Sequence, residues 1–323
     1  MNRREVLAAL GGTLGALPLL SLRATAHPET TTPAPAHGNG APTPAAGGVT
    51  TDDLMKTALD LVGYADIPAD SAIFNPGAHL RRILFCLDAD TGTLLYAHEN
   101  HYDCVLVHHP MNQLPGAGAV YARQVINMVR NGVPEAAAHE AVDARVEELV
   151  FGGHTYNFDN LVAVAKRLGL AFLGIHNPLD ELGRKRMQEV VDALLTRHSD
   201  ASVGQVAEAL AGQPEFHGLP VPVAVRCGDP HALAKKVAVA HGAYTNGGYE
   251  VPTAYFKNGV PTVVMIHIAW GDLQRLRREA LGNLIITGHV GGDSMGFTPF
   301  LHALRARGLT VDTLGGVSGT EMS

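Results

Sequence analysis

Three short stretches of the chain carry side chains suited to metal chemistry. The first is His108-His109-Pro110, which follows the apolar run Cys104–Val107 directly. Adjacent residues of a regular strand point to opposite faces. At a strand end followed by proline the backbone leaves strand geometry, and both imidazoles can turn toward one cavity. In open α/β sheets, ligand sites gather beyond such carboxyl ends. The second is Gly153-His154-Thr155-Tyr156-Asn157-Phe158-Asp159, a loop ahead of an apolar helical pattern over 160–168. Asp159 stands where an N-cap belongs, so a capping carboxylate is the competing reading. The third is Thr287-Gly288-His289-Val290-Gly291-Gly292-Asp293-Ser294-Met295-Gly296. His289 and Asp293 are spaced i, i+4 and share one face of a helical turn.

Each stretch alone has a plain alternative: an incidental His pair, a cap, a glycine-rich turn. Together they supply three imidazoles and two carboxylates, a mixture that suits divalent transition metals. Five side chains exceed the three that a catalytic zinc usually takes. A carboxylate bridging two ions resolves the count. His154, five residues before Asp159, is a candidate for a supporting or proton-transfer role, with an ordinary loop histidine as its alternative. Gly292-Asp293-Ser294-Met295-Gly296 also fits the nucleophile elbow G-x-S-x-G. Chain order counts against it, because only His302 follows Ser294, and it falls within the next helical pattern. Gly116-Ala117-Gly118 follows no strand directly and lacks the third glycine of a dinucleotide fingerprint.

The elements that must hold these residues alternate. A helix is expected from Thr51 to about Val62, a strand over 82–87, a helix over 89–100, and a strand over 104–107. Residues 119–150 read as helical with a break at 131–134, and 160–168 as a helix stopped by Gly169. Further helices are expected at about 180–197 and 203–211. Then come a strand over 221–226, a helix over 231–240 closed by Gly242, a strand over 262–268 and a helix over 272–281. A strand over 284–287, a helix over 299–307 and a strand over 310–314 complete the chain. Strands alternating with helices argue for an α/β fold, and no repeat of fixed period is evident.

Composition bounds the rest. The 323 residues carry 46% hydrophobic and 17% charged side chains and a formal net charge of −7. That is globular, and the absence of a basic stripe argues against nucleic acid as a partner. Cys86, Cys104 and Cys227 sit in or beside apolar runs, with no C-x-x-C, which suits buried core thiols better than a thiolate zinc site. Residues 1–26 read as a signal peptide of twin-arginine type: Arg3-Arg4, a weakly apolar stretch, and Ala24-Thr25-Ala26 as an A-x-A cleavage site. Residues 27–48 are a disordered Pro/Ala/Thr/Gly linker. The folded domain is then 49–323, a periplasmic or secreted protein with no stable membrane anchor.

The runs LDADTGTLLYAHENHYDCVLVHHP, HTYNFDNLVAVAKRLGL and ITGHVGGDSMGFTPFLHALRARGL, in that order, resemble the motifs of the Nif-three-like dinuclear metal-centre family, also labelled GTP cyclohydrolase type 2 homologues. The resemblance implies two pseudo-equivalent α/β lobes with a dinuclear metal site between them. It implies His108, His109, Asp159, His289 and Asp293 as metal ligands for two divalent ions (Zn, Fe or Mn). It also implies a homo-oligomer, a hexamer in the family. Asp293 stands where many members carry the longer Glu. The stretch of about 184–282 does not align and falls where the family varies. The activity expected is metal-dependent hydrolysis of a small molecule by water activated between two metals. A non-catalytic metal- or ligand-binding scaffold is the alternative, and a serine hydrolase using Ser294 ranks below both. Export argues against a nucleotide substrate.

Overall fold

The computed structural model describes residues 48–111, 116–156, 159–244, 247–315 and 317. The expected signal peptide and all but the last residue of the expected linker lie outside these residues. Among the described residues, no helix is long and apolar enough to cross a membrane.

Two sheets organise the chain. In lobe one the strand order is β1-β4-β3-β2-β9. These are β1 (Ala72–Asn75), β2 (Arg82–Cys86), β3 (Cys104–Val107), β4 (Ala171–Gly174) and β9 (Thr310–Leu314). β2, β3, β4 and β9 run parallel, and β1 pairs antiparallel on β4. The continuous apolar runs of β3 and β4 follow from this, since parallel strands are covered on both faces. Alternate residues divide between two cores. Leu84, Cys86, Val105, Val107 and Phe172 pack under α2 (Thr91–Glu99) and α6 (Asn160–Leu168). Ile83, Phe85, Cys104, Leu106 and Leu173 face α1 (Thr51–Val62), α7 (Asn177–Arg197) and α11 (His289–Ala306). Full burial of a side chain such as Phe85 or Phe172 contributes about 1.5–3 kcal/mol. α1 starts where the sequence signals it: Thr50 and Asp53 form a capping box, and Gly63 ends the helix at φ 73°.

In lobe two the order is β5-β8-β7-β6, with β5 (Ala224–Cys227) antiparallel on β8 (Asn283–Ile286). β6 (Val237–Val239), β7 (Thr262–Met265) and β8 run parallel. One face packs α7 and α8 (Val203–Ala211). The other packs α4 (Arg123–Arg130), α5 (Glu135–Gly152), α9 (Glu250–Lys257) and α10 (Trp270–Glu279). A short helix α3 (Ala117–Tyr121) precedes α4. The stretch 184–282, which the motifs do not align, therefore builds most of lobe two.

Several expectations are corrected. Residues 231–240 form no helix: Val237–Val239 pairs in parallel with β7 as the edge strand of the sheet, because its two β-branched residues suit a strand and Pro230 stands just before the segment. β1, β4 and α9 carried no clear periodic signal. The last helix begins at His289, ten residues before the expected start, and Pro299 lies inside it. An internal proline leaves the carbonyl four residues earlier without its helical donor. Here that carbonyl belongs to Met295, and Arg186 Nη1 donates to it at 2.6 Å. A tertiary contact thus meets the cost that made Pro299 look like a start signal.

Candidate metal centre

His108 and His109 extend the line of β3 while still bonded to the end of the neighbouring strand β2: their N–H groups donate to Cys86 O and Leu87 O at 2.9 and 2.8 Å. Their rings lie 5.1 Å apart, tilted by 42°. Each is held from behind. His108 Nδ1 donates to Ile175 O at 3.2 Å, and His109 Nδ1 donates to Asp88 at 2.8 Å. An acceptor on Nδ1 fixes the tautomer and turns Nε2 inward as a free donor atom.

Beyond β4, α7 opens with His176 as its cap residue and Asp180 one turn later. His176 is fastened twice: its N–H donates to Ser71 Oγ at 3.0 Å and Nδ1 to Asp70 at 2.7 Å. Its Nε2 lies 3.4 Å from Asp180 Oδ2. Beyond β8, α11 opens in the same way with His289 and Asp293, after Gly288 at φ 91° turns the chain. The two helix starts share the pattern H-x-x-x-D-x-x-G: His176, Asp180 and Gly183 in one, His289, Asp293 and Gly296 in the other. The glycines let the helices touch. A Cβ on Gly296 would stand 1.9 Å from Leu179 O, and one on Gly183 would stand 3.1 Å from Gly292 O. This close approach brings both carboxylates into one buried space.

His241 follows β6 in lobe two and is buried; its Nε2 is 3.6 Å from Asp180 Oδ1 and 3.9 Å from Asp293 Oδ1. His108 Nε2 lies 3.2 Å from Asp180 Oδ1 and 3.7 Å from Asp293 Oδ2. Nearer the surface, His109 Nε2, His289 Nε2 and Asp293 Oδ2 form a triangle with sides of 3.2, 3.1 and 3.3 Å. His267, two residues beyond β7, places its ring 4.9 Å from that of His289.

Two buried carboxylates are stable here only beside positive charge. Burial pushes the Asp180 carboxyl up, but the His176, His241 and His108 rings outweigh it and hold it at about 2. Burial likewise opposes, and His109, His289 and His108 overcome it, to keep Asp293 well below the usual carboxylate range. For His176 burial favours the neutral ring, yet Asp180 and Asp70 raise it to about 9. His241, dominated by burial, is lowered. Even so, His108 Nε2, Asp180 Oδ1 and His241 Nε2 are buried without hydrogen-bond geometry to any partner. Orphaned donor atoms that converge within metal-ligand spacing are what an ion site requires, and the groups His108–His176–Asp180, His108–His109–Asp293 and Asp180–His241–Asp293 each meet that spacing.

Of the residues singled out from sequence, His108, His109, His289 and Asp293 come together. Asp159 does not join them. It precedes α6, is exposed, makes no capping hydrogen bond and belongs to none of the three groups. His154 is exposed, stacks on Phe151 at 4.5 Å and donates through Nδ1 to the Phe151 carbonyl. Ser294 is inside α11, not on a strand-to-helix elbow, and its hydroxyl donates to Val290 O. The cluster residues that motif reading missed are His176, Asp180 and His241. The repeated H-x-x-x-D-x-x-G was the available signal for the first two.

The family model for Duf34/NIF3 (NGG1p interacting factor 3) matches residues 73–313. A NIF3 superfamily protein from Sphaerobacter thermophilus is 37% identical, with a TM-score of 0.82, over 84% of this chain and 100% of that one. Reduced HcgD from Methanocaldococcus jannaschii shares the fold at 12% identity and a TM-score of 0.51, over 83% of this chain and 99% of that one. The hypothetical protein SA1388 from Staphylococcus aureus aligns at 13% identity and a TM-score of 0.46, over 83% and 97% of the two chains. No match is found among curated proteins.

Proposed function

The chain belongs to the Duf34/NIF3 family, and on that premise we propose that its buried His/Asp cluster binds two divalent metal ions and supports metal-dependent hydrolysis of a small polar molecule. His109, His289 and Asp293 would hold one ion and His108, Asp180 and Asp293 the other, with Asp293 offered to both. Bound there, such ions lower the pKa of a coordinated water and polarise the bond under attack.

The observation that carries the reading is the triangle of His109, His289 and Asp293. N/O donors about 2.0–2.2 Å from a tetrahedral ion lie about 3.3–3.6 Å from one another. The sides of 3.1–3.3 Å come close to that spacing, with three protein donors and a fourth position left for water. His289 is 47% exposed, so the open position faces solvent. A cavity of about 530 Å³ lined by Tyr121, Glu140, Arg145, Glu250, His267 and Asp272 lies nearby, the His267 ring being 4.9 Å from that of His289. Its carboxylates outnumber its guanidinium, which favours neutral or cationic substrates over nucleotides and other polyanions. The asymmetry of supports suits this role: Asp88 and Asp70 orient His109 and His176, while the bridging carboxylate sits buried between.

The test is metal analysis of gently purified protein, followed by assay of esters, amides and phosphoesters before and after chelation. About two ions per chain and a hydrolysis lost on chelation and restored by Zn, Mn or Fe is the expected result. Metal bound without turnover of any class would leave a binding scaffold, and failure to take up any ion would sink the reading.

A further inference from the structure

We infer that His241 is a metal ligand that closes the deeper of the two positions, so that one ion is sealed in the core and only the other carries an exchangeable water. This rests on the metal-centre reading above and extends it to a residue outside the resemblance. The argument is geometric. Four donor atoms surround the deeper position: His108 Nε2, Asp180 Oδ1, His241 Nε2 and Asp293. Asp180 Oδ1 lies 3.2 Å from His108 Nε2 and 3.6 Å from His241 Nε2, and Asp293 presents Oδ2 to His108 Nε2 at 3.7 Å and Oδ1 to His241 Nε2 at 3.9 Å. Tetrahedral coordination at ordinary N/O bond lengths needs about 3.3–3.6 Å between donors, and these four separations lie within a few tenths of an ångström of that. All four side chains are at most 4% exposed. Three of the four atoms are buried with no hydrogen-bond partner, so no protein group competes for them.

His241 arrives from lobe two, beyond β6, which pairs with β7. The backbone on either side of it is pinned by tertiary contacts: the Ala240 N–H donates to Val264 O at 2.9 Å, and Asn177 Nδ2 donates to Gly242 O at 2.7 Å. Four-coordinate protein sites without an open position are structural, whereas catalytic sites keep one. The deeper ion would therefore clamp lobe one to lobe two, through His108 and Asp180 on one side and His241 and Asp293 on the other. The outer ion, on His109 and His289, would exchange with solvent.

The experiment uses the full folded domain loaded with Zn(II) or Co(II), with metal content read by elemental analysis and circular dichroism as the control for folding. Wild type should hold about two ions, of which a chelator removes one quickly and the other slowly. His241→Gln should hold about one ion, and that ion should be the labile one. Because a buried substitution can unfold the chain, His241→Cys supplies a positive signal. With Co(II) it should show a near-ultraviolet thiolate-to-cobalt charge-transfer band absent from wild type, whose Cys86, Cys104 and Cys227 lie outside the cluster. Wild type with two ions, an unchanged His241→Gln protein and no band in His241→Cys would overturn the role of His241 and leave the metal centre standing. If wild type binds no ion, the centre itself falls, and this inference with it.

Discussion

The two lobes meet the centre with the same helix start, yet they equip it differently. In lobe one the three histidines are each anchored through Nδ1: His108 by Ile175 O, His109 by Asp88, His176 by Asp70. That wall is oriented before any ion arrives. Lobe two supplies one fully buried ring, His241, and one ring at the surface, His289, with His267 leading from it to a cavity. Orientation is thus concentrated in one lobe and access in the other. A centre built from two identical walls would be either sealed or open at both ends. Unequal walls would suit the proposed pair of positions, one closed and one open, around a shared carboxylate.

The largest effect is expected at Asp293, whose carboxylate faces both proposed positions. Asp293→Ala should lower metal content from about two ions per chain to near zero. Retention of one firmly bound ion would show that the bridge is not shared. Next is the seam between the lobes. Gly296→Ala places a methyl group against Leu179 O, and α7 and α11 cannot stay in contact without shifting. Thermal or denaturant unfolding should show a loss of about 1–3 kcal/mol or more. A neutral result would mean that the two helix starts do not need this approach.

The supports behind the rings sharpen the contrast. Asp70 is buried behind His176, whose Nε2 faces Asp180 Oδ2 at 3.4 Å. Asp70→Ala frees that ring to turn away from the proposed ligand Asp180 and should weaken metal affinity by about 10–100-fold, measured by competition with a chromophoric chelator. Asp88 carries a similar hydrogen bond but is 79% exposed, so water can substitute for it. Asp88→Ala should therefore cost less than about tenfold in the same titration. Equal effects would contradict the role given to burial. The smallest effects are expected at Asp159 and Ser294. Asp159→Ala should leave metal content unchanged, and Ser294→Ala, which removes a hydroxyl bonded to its own helix, should keep most hydrolytic activity. Organophosphate labelling of Ser294 with activity surviving chelation would instead favour a covalent serine mechanism.

Much of this was legible in the chain. The H-H-P run at the end of β3 and the i, i+4 pair His289/Asp293 are local patterns, and local patterns survive in sequence. So do the capping box at Thr50, the Gly169 stop and the apolar run of β3. His176 and Asp180 carry the same i, i+4 signature, but the helical periodicity there is read from about residue 180, which hides the pair at its start. The Asp before α6 was the more visible carboxylate, and visibility came from motif resemblance and helix-start chemistry rather than from proximity to the histidines. The expected helix over 231–240 shows the other failure. Periodicity there suggested a helix, while pairing with β7 decided a strand, and with it the place of His241.

By itself, then, the sequence determined the α/β class, the strand–helix rhythm and two of the segments that carry the His/Asp cluster, because hydrophobic period and i, i+4 spacing are written into neighbouring residues. The tertiary structure alone decided which carboxylate joins the histidines, that Pro299 lies within a helix, and that His241 faces Asp180 from the opposite lobe. Those outcomes depend on Arg186 reaching Met295 O, on β6 pairing with β7 and on Gly183 meeting Gly296. All are contacts between residues far apart in the chain, and no local pattern encodes them.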